Sequence, residues 1–129
     1  MKKLVIGLVL FLFVFAASPA FAGEIDGIWT LLLPDGTLGT VLMVRENGGT
    51  VIAAALDLGM NDWEAYVGSL DGTTVQLTGV LTRWDIVGIT VTFSSATSAT
   101  GTITSCTPTA AAQCQDVVVG ATFTMEKIF

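Results

Sequence analysis

Along most of the chain beyond Trp29, a polar residue, most often threonine, trades places with a large apolar one. Thr90-Val91-Thr92-Phe93, Gly101-Thr102-Ile103-Thr104 and Thr122-Phe123-Thr124-Met125-Glu126 show the pattern. A period of two puts one kind of side chain on each face of a pleated strand. No stretch sustains the period of 3.6 that an amphipathic helix needs. The apolar positions are mostly Val, Ile, Leu or aromatic, residues that fit a half-buried pleated surface. Turn signals cut the alternation into regular pieces. Pro34-Asp35-Gly36 is a tight turn, and Asn47-Gly48-Gly49 and Asp71-Gly72 are hairpin turns, with glycine at positions that demand positive φ. Gly59 to Asp62 and Ser94 to Ala99 are looser loops. Between these signals lie eight expected strands, near residues 25–33, 39–46, 50–58, 63–70, 73–82, 86–93, 100–106 and 117–128.

Eight short consecutive strands joined by hairpins predict an all-β fold, an antiparallel up-and-down β-barrel, since closure removes both exposed edges. A two-sheet β-sandwich is the alternative. The inner face is expected to carry Trp29, Leu31 and Leu33, then Val41 and Met43, Val51, Ala53 and Ala55, and Trp63, Ala65 and Val67. It continues through Val75, Leu77 and Leu81, then Val87, Ile89, Val91 and Phe93, ending with Ile103, Val119, Ala121, Phe123 and Met125. The outer face is threonine-rich in the later strands. In the earlier ones it adds Leu32, Leu42, Val44, Ile52, Ala54, Leu56, Leu58 and Val80, so the stretch from Thr50 to Leu58 is apolar on both sides.

Composition adds the compartment. The chain is 52% hydrophobic and 12% charged, figures that its leading segment inflates. Lys2 and Lys3, an apolar run from Leu4 to Ala17 and the Ala20-Phe21-Ala22 site read as a secretory signal peptide cleaved after Ala22. The run is too short for a spanning helix, which takes roughly 20 residues. Residues 23–129 then form one domain, secreted or periplasmic, in which Arg45, Arg83 and Lys127 stand against all 11 acids. Three scattered cations build no footprint for nucleic acid, and an acidic surface disfavours anionic lipid. Cys106 and Cys114 read as a disulfide, the usual state of a thiol pair in an oxidising space.

Gly27-Ile28-Trp29, opening the first strand, resembles the G-x-W element of lipocalins and avidin-like barrels, the calycin type. In that superfamily the tryptophan plugs the closed end of the barrel and stacks on a basic residue from the end of the last strand. Lys127 stands where the resemblance places that cation, which implies a Trp29–Lys127 cation–π contact.

The chain contains no histidine, the commonest general base and metal ligand, and no acid is set in an evident apolar cleft. A catalytic function is therefore not expected, nor is a cofactor. Asp57, Asn61, Asp62 and Glu64 crowd one loop, but their order matches no calcium-binding pattern, and a solvated acidic turn accounts for them. Trp63, Tyr66 and Trp84, near strand ends, are the candidates to line a mouth pocket for a small apolar ligand. Ile52, Ala54 and Leu56 are the candidates for an interface with a protein partner or a second copy. The expected function is an exported, non-catalytic binding or interaction module. A self-associating cell-envelope protein and a small outer-membrane barrel are the alternatives, and an enzyme ranks third. Phe129 favours the outer-membrane alternative; Lys127 and the thin aromatic girdles oppose it.

Overall fold

The computed structural model describes residues 23–57, 62–81, 86–107, 114 and 118–129. Its eight strands are β1 (Gly27–Leu32), β2 (Leu38–Asn47), β3 (Thr50–Asp57), β4 (Asp62–Asp71), β5 (Thr74–Leu81), β6 (Ile86–Ser95), β7 (Ser98–Thr107) and β8 (Thr122–Lys127). Each strand pairs antiparallel with the next, and β8 returns to β1, closing the barrel. The closing seam is short, running from Trp29 opposite Lys127 to Leu32 opposite Thr124. At the turn between β1 and β2, the Thr37 hydroxyl donates to the Asp35 carboxylate at 2.6 Å and the Thr37 amide at 2.9 Å. These donors stabilise the charged carboxylate and hold its pKa below the ordinary value.

Large and small side chains alternate across the seams inside. Tyr66 lies between Ala53 and Gly79 in the register. Phe93 faces Ala99, and Phe123 faces Gly101. Interdigitation of this kind fills a narrow barrel. A Cβ on Gly101 would overlap the Phe123 ring, so the missing side chain is the socket for that ring.

The expected inner face holds on β1, β3, β5, β6 and the body of β8, but β2 and β4 are turned over. On β2 the interior takes Leu42, Val44 and Glu46, while Met43 is exposed. On β4 it takes Tyr66, and Trp63 points outward. β2 carries large apolar residues on both faces, and on β4 hydrophobicity favours Trp63, Ala65 and Val67 over Glu64 and Tyr66, so it does not pick the interior. Size does: the Tyr66 ring needs the small neighbours Ala53 and Gly79. Leu33 and Val119, also expected inside, are exposed beyond the strand ends.

One end of the barrel is plugged by residues 23–29. Ile25 and Trp29 are fully buried. The Trp29 indole donates to the Ile25 carbonyl at 2.9 Å. Its ring meets Phe93 edge-on, with centroids 5.4 Å apart, an arrangement the aromatic quadrupoles favour. Lys127 sits opposite Trp29 in the register, and its ammonium donates to the Glu24 carbonyl at 2.9 Å. Gly27 has φ 147°, a conformation that glycine adopts freely. It leaves room for the Lys127 stem and the Phe129 carbonyl, which a Cβ would strike. Arg45 pairs with Asp26, whose other oxygen accepts the Glu46 amide at 2.6 Å. Glu46 is the buried charged residue of this end. Its carboxylate accepts the Gly23 amide at 2.8 Å and the Gly49 amide at 2.6 Å.

Candidate interaction surface

The outer wall has two unlike halves. Across β1–β4, residues in register form rows that face outward. Ile28, Met43, Ala54 and Ala65 make one row, and Val41, Leu56 and Trp63 another. Ile52 and Val67 stand in a third, which Arg45 begins. Met43 is 58% exposed, Ile52 54% and Trp63 58%; Val80 on β5 adds to the same side at 62%. Half-buried Val41, Ala54 and Leu56 lie between them. The exposed apolar side chains are therefore neighbours across adjacent strands rather than scattered singly. Arg45, at their edge, is engaged with Asp26.

Across β5–β8 the outward rows are hydroxylic. Thr74, Thr92, Thr100 and Thr124 lie in register, and so do Gln76, Thr90, Thr102 and Thr122. Thr74 and Thr92 hydroxyls are 3.3 Å apart. The same strand-forming alternation thus yields a wet half and a greasy half, and the difference lies in what each strand turns away from the core.

The interior offers little space. A cavity of about 30 Å³ lies among Leu42, Tyr66, Leu77, Phe93, Phe123 and Met125. Small-molecule sites usually run to several hundred cubic ångströms; a space this small has room for about one or two waters, which want polar partners. A separate open trough of about 480 Å³ lies beside the short β1–β8 seam, between Leu32, Leu33 and Pro34 on one bank and Thr100, Thr102, Thr122 and Thr124 on the other.

The sequence candidates divide accordingly. Ile52, Ala54 and Leu56 come together on the apolar half, with Ile52 the most exposed of the three. Trp63 and Tyr66 do not share a pocket: Trp63 belongs to the outer wall, while Tyr66 lines the cavity and donates its hydroxyl to Glu64. Their odd spacing in sequence places them on opposite faces of any strand, a signal available before the structure. Trp84 lies outside the described residues, as does Asn61 of the acidic loop; Asp57 and Asp62 pair through their backbones at the ends of β3 and β4. Met43 is a wall residue that the alternation assigned to the core. Cys106 and Cys114 are bridged, with Cα atoms 5.5 Å apart, which fits an oxidising compartment.

Comparison with protein-family models, with curated proteins and with solved structures finds no match to this chain. The closed eight-stranded antiparallel barrel is itself compatible with a small calycin-like barrel.

Proposed function

We propose that the mature chain is an exported, non-catalytic interaction module that docks a protein partner on the outer wall of β2–β4. The observation that carries this reading is the contrast between the two halves of one barrel. Threonine covers the outside where only water has to be met, and Met43, Ile52 and Trp63 stand exposed where threonine would have served the strand equally well. The near-filled interior supports a partner outside the barrel over a ligand within it.

Residue-specific photo-crosslinking tests this. A photoactivatable residue at Ile52 is expected to give adducts of defined mass in the exporting cell, and one at Thr90 is not. An adduct of twice the chain mass identifies the partner as a second copy. Equal labelling from both positions, or none from Ile52, overturns the proposal.

The lipocalin-like reading predicts a small ligand instead, and the trough beside β1 and β8 is the feature in its favour. Hydrophobic probes that bind saturably and are lost on Leu33→Asp would support it. The outer-membrane alternative needs apolar side chains outward on every strand and a polar interior. The threonine rows of β5–β8 and the apolar cavity lining weigh against it.

A further inference from the structure

Glu46 is the buried polar or charged residue among the described side chains, 5% exposed, and it lies at the plugged end. Both carboxylate oxygens are used, one by the Gly23 nitrogen at 2.8 Å and the other by the Gly49 nitrogen at 2.6 Å. No cation reaches it among the described residues: Arg45 pairs with Asp26, and the Lys127 ammonium goes to the Glu24 carbonyl. A carboxylate taken out of water is costly unless a charge of opposite sign accompanies it. Two neutral amides leave that requirement half met.

The Gly23 nitrogen is the one that follows the cleavage site read from the sequence. In the full chain it is an amide. After hydrolysis of the Ala22–Gly23 bond, water supplies the hydroxyl of the departing carboxyl group, and the Gly23 nitrogen becomes an amine that is protonated at neutral pH. We propose that Glu46 is the receptor for the α-ammonium group released by leader removal, so that processing completes a buried ion pair and locks the plug into the barrel. This goes beyond the interaction reading and does not depend on it; it rests on cleavage after Ala22.

Several observations favour a built site over a chance contact. Gly23 begins the segment that carries Ile25, fully buried, and Asp26, which binds the Glu46 amide and Arg45. The terminus is therefore delivered to the carboxylate by its neighbours' contacts. The carboxylate already accepts the amide, and gains the attraction of a full opposite charge when that amide becomes an ammonium, which is expected to shift the unfolding equilibrium by about tenfold.

The test compares three forms of the mature protein by urea unfolding: one beginning at Gly23 with a free amine, the same chain Nα-acetylated, and one with an extra alanine before Gly23. The free-amine form should have an unfolding equilibrium about tenfold more favourable to the native state than either of the others. That advantage should vanish in Glu46→Gln. Equal stability of the three forms overturns the proposal, as does an advantage that survives Glu46→Gln. If Glu46→Gln does not fold, NMR titration of ¹⁵N-labelled Gly23 in the wild-type protein decides. A paired α-amine titrates above its ordinary range, against a background of Asp26, Arg45, Glu24, Asp71, Glu126 and Lys127, charged groups of the same end of the barrel. An ordinary value refutes the pairing. Terminal sequencing of the exported protein that begins elsewhere than Gly23 also refutes it.

Discussion

Gly101 and Gly68 make a paired test of how the barrel is packed, because a methyl group at each would meet a different kind of obstacle. At Gly101 the obstacle is the Phe123 ring, a side chain. At Gly68 it is the backbone of β5: the Cβ would overlap the Gln76 carbonyl oxygen and lie 2.8 Å from its carbonyl carbon and 3.1 Å from the Leu77 Cα. Overpacking a filled interior costs about 1–3 kcal/mol. Phe123 has little free space to retreat into, the neighbouring cavity being about 30 Å³. Gly101→Ala should therefore cost about 2 kcal/mol, or on the order of 10 °C in Tm for a domain of this size. Much of that cost should disappear when Phe123→Leu removes the ring's far end. Gly68→Ala should cost at least about 3 kcal/mol, since relief requires the β4–β5 ladder to part, and no side-chain substitution should restore it. Urea unfolding of the single variants, with the Gly101→Ala/Phe123→Leu double variant completing a cycle, measures these terms. If Gly101→Ala falls within about 0.5 kcal/mol of wild type, the socket does not exist as described. If the double variant costs the sum of its parts, the ring is not the obstacle.

Cys106 and Cys114 are bridged across a sequence separation of 8. Replacing both by alanine should lower stability by about 2.5 kcal/mol, read by denaturant unfolding of oxidised and variant protein. Tyr66→Phe deletes the hydroxyl that Glu64 accepts and should cost about 1 kcal/mol with no change in fold by circular dichroism. The Asp35 carboxyl, held by Thr37, should titrate below its ordinary value by NMR. Because its folded pKa is depressed, its contribution to stability is present at neutral pH and is lost as pH falls through that lowered value; an unshifted titration contradicts it. On the outer wall, Ile52 and Met43 already meet water. Ile52→Lys and Met43→Lys should therefore leave the unfolding free energy within about 0.5 kcal/mol of wild type. A large loss in either would place that residue in the core.

The barrel was legible because its seams are local. Turn chemistry at Pro34-Asp35-Gly36, Asn47-Gly48-Gly49 and Asp71-Gly72 separates strands that then pair with their neighbours, so finding the strands nearly finds the topology. Strand phase was legible wherever threonine marked the wet side, as on β6 and β8. It failed on β2, where Val41-Leu42-Met43-Val44 offers apolar residues to both sides, and on β4, where Glu64 beside Tyr66 makes the inner face look the more polar. There the decision rests on cross-strand size, Tyr66 against Ala53 and Gly79, and on Glu46 at the plugged end. These are relations between residues distant in sequence, which period alone does not carry. Ile52, Ala54 and Leu56 face outward because a strand apolar on both faces shows one of them wherever it lies; Met43 and Trp63 stand beside them only once the phase of their strands is known.

The seam between β1 and β8 differs from the other seven in what it asks of the chain. The others join strands consecutive in sequence, whereas the Thr30 hydroxyl meets the Glu126 carbonyl across 96 positions of sequence. Loop-closure entropy grows with the logarithm of length, so bringing these strands together costs about 3 kcal/mol more than forming a two-residue hairpin. The eighth seam is the one that joins the two ends of the strand order. Until it shuts, the molecule is a curled ribbon with β1 and β8 as bare edges, each offering unpaired amides and carbonyls to any strand nearby. Ring closure thus leaves the sheet without an edge on which another strand could pair. The few residue pairs that make it hold the whole sheet out of reach of its neighbours.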